Sequence, residues 1–179
     1  MVKKLSIIFA YSVFFLLSLA LFVPKSSVYF SLEQELQKNK IVLSNEVLEE
    51  NFLSLSIKDV QINFDEVETA RVEKIDVLLL GLYNSVSFSK IELSSLVSSF
   101  VPSKIQNLAL HYTFLNPLEI RGEAQGDFGE ASVKVSLADL KVSVVLRASK
   151  LMLQEYKQSL KMLKKEENGE YSYAETFQY

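Results

Sequence analysis

Five stretches of six residues repeat one pattern, in which apolar residues occupy the first, fourth and sixth positions. They are IKDVQI (57–62), VEKIDV (72–77), FSKIEL (88–93), LNPLEI (115–120) and LADLKV (137–142). Side chains of a β-strand alternate between two faces, so a step of three residues moves the next apolar side chain to the opposite face. All three apolar residues can share one face only where the chain bulges or turns between them. The pattern therefore predicts short strands, interrupted by bulges or corners, with one continuous apolar face.

The spacing of these stretches favours neighbouring antiparallel strands. The first three begin 15 and 16 residues apart, which suits strands joined by short turns. The later spacing is irregular, and this argues against a solenoid of equal repeats. We therefore predict a mainly β protein with a curved antiparallel sheet, arranged as a β-taco or like a sandwich. A chain of 179 residues favours one such domain, which we expect over residues 41–179.

The apolar positions of the strands form the candidate working surface. The predicted apolar sheet face consists of Ile57, Val60, Ile62, Val72, Ile75, Val77, Phe88, Ile91, Leu93, Leu118, Ile120, Leu137, Leu140 and Val142. A closed core and an open trough for lipid both require one continuous apolar face, so the sequence leaves these two uses open. Exposed strand edges would offer a second surface, to which a partner could add a strand.

The N-terminal region contains 19 consecutive residues without a charge, over residues 5–23. As a helix this run is roughly 28 Å long, about the thickness of the hydrocarbon core of a bilayer. Lys3 and Lys4 precede it and predict a cytoplasmic N-terminus. We therefore expect a cytoplasmic stub over residues 1–4, a transmembrane anchor over residues 5–23 and the rest of the chain outside the cytoplasm. Cleavage of a signal peptide after Ala20 is the alternative.

Two more helices and a final strand are predicted around the sheet. Residues 24–40 are expected to form a juxtamembrane helix, because apolar residues recur there every four positions, and a helix packed on its own domain is the alternative. Ser149 is a suitable cap for a C-terminal amphipathic helix over residues 150–165. Alternating aromatic residues predict a last strand over residues 171–177. The basic face of the C-terminal helix is formed by Lys157, Lys161, Lys164 and Lys165.

Charge is distributed unevenly along the chain. Residues 33–76 carry 11 acids against 5 bases, whereas residues 141–165 carry 7 bases against 1 acid. These opposite charges could dock the basic helix onto its own sheet, onto a partner or onto anionic lipid headgroups. The net charge of the whole chain is −3, which predicts no nucleic-acid partner.

Residues that carry chemistry are scarce. The chain has no cysteine and one histidine, His111, so no thiolate nucleophile or cysteine-ligated metal is available. His111 has no partner at the spacing of a metal site or a catalytic triad, and we expect it on the solvent face. We therefore predict no catalytic, cofactor or metal site and no enzymatic activity. A pair of carboxylates that meets only in space, as in glycoside hydrolases, is the alternative that the sequence does not reveal.

The layout resembles bacterial envelope proteins of the AsmA-like and type II secretion protein N group. The segments that carry the resemblance are LSIKDVQINF, ARVEKIDVLLL, VSFSKIEL and GDFGEASVKVSLADLKVSVVLRAS. The membrane-anchored component of lipopolysaccharide export is similar in size and plan. The resemblance implies a bacterial inner-membrane location, a periplasmic main domain and no catalytic residues.

Together, the sequence and the resemblance predict a non-enzymatic component of an envelope-spanning or secretion-type assembly. It would act by contact with other envelope proteins. The alternative is a carrier or bridge for lipid or lipopolysaccharide between membranes, with the apolar face as its groove.

Overall fold

The structure, a computed structural model, describes residues 2–22 and 24–177. In this part of the chain, eleven strands form one curved antiparallel sheet. The strands are β1 (Ile41–Ser44), β2 (Val47–Glu50), β3 (Ser54–Phe64), β4 (Val67–Leu79), β5 (Tyr83–Leu93), β6 (Lys104–Thr113), β7 (Glu119–Gly126), β8 (Gly129–Ser136), β9 (Lys141–Ala148), β10 (Lys164–Lys165) and β11 (Tyr171–Thr176). The prediction of a mainly β fold with a curved antiparallel sheet is confirmed, and the sheet is single rather than one of two layers of a sandwich.

The order of the strands follows the chain closely. It runs β1-β3-β4-β5-β6-β7-β8-β9-β11-β10, and β2 pairs with β3 on the same side as β1. From β3 to β8 every strand therefore pairs with the strands that precede and follow it in the sequence. This arrangement is a meander, the topology that short turns between antiparallel strands favour.

Helices lie at both ends of the strand series. They are α1 (Val2–Phe22), α2 (Lys25–Lys38), α3 (Lys150–Glu155) and α4 (Lys157–Leu160), with one turn of 3-10 helix at Val97–Ser99. Helix α2 packs against β1, β2 and β3, whereas α3 packs against β9. Among the described residues, no helix combines the length and the apolarity needed to cross a bilayer. The structure thus does not support the transmembrane anchor predicted over residues 5–23. Residue 1 of the predicted cytoplasmic stub and residue 23 of the predicted anchor lie outside the described part of the chain.

The polar steps inside the first three repeated stretches are kinks in continuous strands. Asp59 on β3 and Lys90 on β5 adopt the left-handed backbone conformation, with φ of 56° and 52°. Neither residue has a direct partner on the neighbouring strand, and the same is true of Glu73 on β4, which lies between them. The Lys90 ammonium contacts the Glu73 carboxylate at 2.8 Å. As a result Ile57 and Val60, three residues apart, are both buried on the same face.

The last two repeated stretches begin with hairpin turns instead. Residues 114–118 connect β6 to β7, and residues 137–140 connect β8 to β9. Leu118 and Leu137, which were predicted on the sheet face, lie exposed in these turns, and Leu140 has a left-handed φ of 50°. The physical reason is that six residues with the same polarity pattern can either kink a strand or reverse the chain.

The C-terminal helix is shorter than predicted. Instead of one helix over residues 150–165, the chain forms α3, breaks at Tyr156 and forms α4. Ser149 caps α3 as expected, because its hydroxyl accepts a hydrogen bond from the Met152 amide at 3.1 Å. Lys164 and Lys165 belong to β10 and pair with β11, so ladder pairing replaces the last helical turn of the prediction. The final strand ends at Thr176, within the predicted 171–177.

The hydrophobic core consists of two clusters on the same face of the sheet. The first surrounds Tyr29 of α2 and contains buried residues of β3, β4 and β5. The second joins Phe128 and Leu146 to Met152 of α3 and Leu160 of α4. Each cluster forms where a helix covers the apolar face, which is how a one-layer sheet can bury part of its hydrophobic surface.

Tyr29 is the side chain through which α2 covers the first cluster. It is buried among the β3 to β5 residues, whereas the next residue, Phe30, is half exposed. We expect Tyr29→Ala to destabilise the protein by about 3 kcal/mol, because the substitution removes a buried aromatic ring. Phe30→Ala, the matched control, should cost under about 1 kcal/mol. Urea unfolding followed by circular dichroism would measure both, and equal effects would contradict this role of Tyr29.

Candidate functional site

The apolar face consists of side chains aligned in rows that cross the strands. In the central row, directly opposed residues run from β3 to β11: Ile57, Ile75, Phe88, Leu108, Ala124, Ala131, Leu146 and Tyr171. A parallel row lies two residues away in each strand: Leu55, Val77, Val86, Leu110, Gly122, Val133, Val144 and Tyr173. Opposed pairs of this kind stabilise a sheet, and the spacing of two keeps both rows on one face.

The predicted face residues fall into three groups. Those of the first three repeated stretches belong to the first core cluster, either buried within it or packed against it: Ile57, Val60, Ile62, Val72, Ile75, Val77, Phe88, Ile91 and Leu93. Ile120 and Val142 lie opposite Val135 in a third row of the same face. Leu118, Leu137 and Leu140 lie in turns, so the structure does not unite them with the rest of the set on the strands.

The middle of the apolar face has no helix over it. We define the open strip as Leu110, Tyr112, Ile120, Val133, Val135, Val142 and Val144, which are all half-buried. None of them belongs to the two core clusters of the described chain. Gly122 is buried between Leu110 and Val133, and a Cβ atom there would lie 2.5 Å from Leu110 Cδ2. The Leu110 side chain thus fills the position that a larger residue at 122 would need.

The predicted face left out four members of this surface, on β6, β8 and β9. Leu108, Leu110, Val133 and Val144 were not included in the predicted face, because they lie outside the six-residue pattern. The signal for them was plain alternation of apolar residues in LALHYT, VKVS and VSV (142–144), which is typical of a strand with one apolar face.

The opposite face of the sheet is polar and carries ion pairs between strands. Glu119 on β7 contacts Arg121 and Lys134, and hydrogen bonds from Lys134 and Arg121 lower the pKa of the Glu119 carboxyl. His111 lies on this face, opposite Ser85 and Arg121. Within residues 2–22 and 24–177, no group of three or more His, Asp or Glu side chains is arranged to hold a metal ion.

A depression of about 510 Å³ on the polar face brings three acidic side chains together. Glu123, Glu130 and Glu170 line it, together with Arg147. The Arg147 guanidinium bonds to Glu130 and to Glu170, both at 3.2 Å. One arginine therefore pairs with two of the three acids, and this links β8, β9 and the segment before β11.

The predicted basic residues lie around a second depression, between the C-terminal helices and the sheet edge. Lys157, Lys161 and Lys165 line about 440 Å³ whose other walls include Leu160 and Tyr171. Lys164, also on β10, does not line this depression, and its ammonium pairs with the Glu166 carboxylate at 3.1 Å. The basic face is thus formed by a helix, the turn after it and a strand, rather than by one helix.

The last long strand has a partly unpaired outer edge. Strand β11 pairs with β9 along its whole length, but on its other side β10 pairs only with Tyr171 and Ser172. The Phe177 amide donates to Leu140 O at 2.7 Å on the β9 side. Because successive amides of an antiparallel strand point to opposite sides, the amides of Ala174 and Thr176 point outward. Over Tyr173–Thr176 the described chain therefore presents an open edge.

The opposite edge of the sheet is held by α2 through a carboxylate from β2. Pro24, at the N-cap of α2, provides no side-chain cap. Instead the Glu50 carboxylate accepts hydrogen bonds from the Ser26 hydroxyl at 2.7 Å and from the Lys25 amide at 3.0 Å. The Ser26 hydrogen bond, followed by that from Lys25, lowers the pKa of the Glu50 carboxyl. Negative charge at a helix N-terminus is also favoured by the helix dipole.

Comparison of the chain with family models, with curated proteins and with solved structures finds no match. The apolar face, the open edge and the charges described above are therefore the features from which we infer a function.

The pKa shift of Glu50 predicts a defined pH dependence. A carboxyl whose pKa is lowered on folding stabilises the protein fully above its ordinary pKa of 4.5, and this contribution is lost as the pH falls through the lowered pKa. Glu50→Gln should therefore have a lower Tm than the wild type at pH 7, and the difference should shrink as the pH falls below about 4.

The matched control is Glu49→Gln, since Glu49 is the neighbouring carboxylate on β2 and its ion pair with Lys58 is exposed. Thermal unfolding between pH 3 and pH 7 would measure all three proteins. A Tm difference between wild type and Glu50→Gln that stays constant with pH would contradict the capping role.

Proposed function

We propose that this protein is a non-enzymatic, membrane-attached component of an envelope-spanning assembly, and that it binds its partner by strand addition at the open edge of β11. The observation that carries the proposal is the unpaired outer edge over Tyr173–Thr176, at the end of a sheet with one continuous apolar face. A partner strand paired there would extend the hydrogen-bonded ladder and the apolar rows together.

The sequence of this edge suits pairing with another chain. Protein edges are usually blocked by proline, lysine, bulges or a covering segment. Residues 173–176 contain neither proline nor lysine. Their one acid, Glu175, accepts a hydrogen bond from the Tyr173 hydroxyl at 2.6 Å. The opposite edge differs, since α2 packs against its two short strands β1 and β2.

Membrane attachment is the second part of the proposal. It is supported by the uncharged run of 19 residues preceded by two lysines. In this arrangement the N-terminus is cytoplasmic, the segment over residues 5–23 anchors the chain in the bacterial inner membrane, and the sheet lies in the periplasm. The likeness to AsmA-like and type II secretion protein N proteins supports the same location, and it also supports other envelope proteins as partners.

Removal of an outward amide tests strand addition directly. Ala174→Pro deletes an amide that points away from β9, so the sheet should stay intact while pairing on the outer side is blocked. We expect a photo-crosslinking residue at Thr176 to capture a partner in the native cells, and Ala174→Pro to abolish that crosslink. Ala174→Val, which keeps the amide, is the matched control. An undiminished crosslink in Ala174→Pro, or no crosslink to any protein, would refute the proposal.

Lipid carriage is a second candidate function, favoured by the open strip. Seven apolar side chains there are half-exposed without a covering helix, and a lipid chain could cover them. Val144 and Ser143 are neighbours on β9 that face opposite sides of the sheet. If lipid binds, Val144→Asp should reduce the lipid that co-purifies with the protein, whereas Ser143→Asp should not. Native mass spectrometry would measure this, and a wild-type protein free of lipid would exclude this candidate.

A further inference from the structure

The connections at one end of the strands form a continuous apolar rim. Because the strands run up and down in sequence, the segments 51–53, 80–82, 114–118 and 137–140 and residue 177 all lie at the same end of the sheet. We call these segments the apolar rim. Its exposed large side chains are Phe52, Leu53, Leu82, Phe114, Leu115, Leu118, Leu137 and Phe177.

This composition is unusual for turns, which are normally polar. The rim segments contain one charged residue, Asp139, and its carboxylate accepts a hydrogen bond from the Ser136 hydroxyl at 2.8 Å. Leu115 is 89% exposed and Phe52 is 67% exposed. A contiguous exposed apolar surface of this kind marks a contact with a protein or a membrane.

Backbone hydrogen bonds connect neighbouring parts of the rim to each other. The Phe114 amide donates to Leu82 O at 2.8 Å, and the Leu137 amide donates to Leu118 O at 2.8 Å. With the Phe177 to Leu140 bond described above, these links extend the sheet into its own turns. Between β3 and β11 the rim is about 34 Å long at about 4.8 Å per strand. The rim is therefore a preformed surface rather than a set of independent loops.

The other end of the strands has a different character. Its shortest connections contain Asp65 and Glu66 between β3 and β4, and Asp127 between β7 and β8. Leu96 and Phe100 are exposed there too, but they lie in a segment that is rich in serine. The basic depression near α4 belongs to this end as well. The two ends of the sheet thus differ in charge, and only the rim is nearly free of it.

The position of α1 indicates what the rim faces. Glu50 binds the start of α2, and Glu50 directly precedes the rim segment 51–53. Phe22, the last residue of α1, is three residues from Lys25, so the chain between them spans at most about 11 Å. The C-terminal end of α1 therefore lies beside the rim. The apolar side chains described on α1, such as Phe9 and Phe14, are themselves exposed.

We propose that the apolar rim rests on the lipid bilayer to which α1 attaches the protein, with its Phe and Leu side chains at the boundary between headgroups and acyl chains. This inference deepens the membrane attachment included in the proposed function and rests on it. A helix across the bilayer and a helix at its surface would both bring the rim to the headgroups. The sheet then stands with β3 to β11 side by side on the membrane and with its charged end away from it.

The absence of tryptophan from the sequence gives a direct test. Leu115→Trp and Phe52→Trp each place one indole on the rim, and Phe100→Trp places one at the far end as the matched control. All three positions are exposed, so the fold should tolerate the change. The full-length variants are reconstituted in vesicles of phosphatidylcholine and phosphatidylglycerol, with or without bromine on the acyl chains. Flotation measures attachment, and quenching of tryptophan emission measures contact with the chains.

We expect brominated chains to quench Leu115→Trp and Phe52→Trp roughly twofold or more, with a blue-shifted emission, and to leave Phe100→Trp unchanged. Protein that floats with the vesicles but shows no quenching at either rim position would overturn the rim contact and leave the attachment standing. Equal quenching at Phe100→Trp would mean that the sheet lies flat, which also overturns the proposal. Protein that does not float would refute the attachment and the rim contact together.

Discussion

The structure depends on keeping the apolar side chains on both sides of a strand kink on the same face of the sheet. Asp59 and Lys90 are left-handed residues inside long strands, and Glu73 lies beside them in the intervening strand. Without a kink at this line, Val60, Val72 and Ile91 would face the polar side of the sheet while Ile57, Ile75 and Phe88 faced the apolar side. The left-handed conformation is unfavourable for residues other than glycine, although aspartate tolerates it better than most. Its cost is offset by the burial of both apolar sets in one cluster.

A one-layer sheet cannot bury its apolar face with strands alone, and in this protein helices cover only its ends. Helix α2 packs on β1 to β3 and adds Tyr29 to the cluster formed by β3 to β5. Its start is fixed by a carboxylate from β2 that is more than 20 residues away in sequence. Helices α3 and α4 cover the region around Leu146. The strip between them stays half-exposed, so the described chain leaves part of its apolar face uncovered. Lipid carriage, the second candidate function, would cover that strip, whereas a strand added at β11 would lengthen the sheet beside it.

Some elements of the fold could be predicted from the sequence and others could not, for physical reasons. Alternation and the two-residue polar steps predicted the strands, the curved sheet and the interruptions at Asp59 and Lys90. The same steps could not distinguish a kink from a hairpin turn. Pro117 was the one local signal for a turn, since proline cannot donate a hydrogen bond to a neighbouring strand. The C-terminal helix was predicted too long, since the pairing of Lys164 with Ser172 depends on a strand that comes later in the chain. The Glu50 cap and the apolar rim arise only when distant segments meet, so no local pattern could reveal them.

The meander order has a consequence for the order in which the strands can pair. From β3 to β9 each ladder joins consecutive strands, so a strand needs only its successor in order to pair. A chain whose strands become available from β3 onward can therefore pair them one after another, as nearest-neighbour contacts accumulate. β11 is the last strand to be added, and its outer side then forms the edge of the finished sheet.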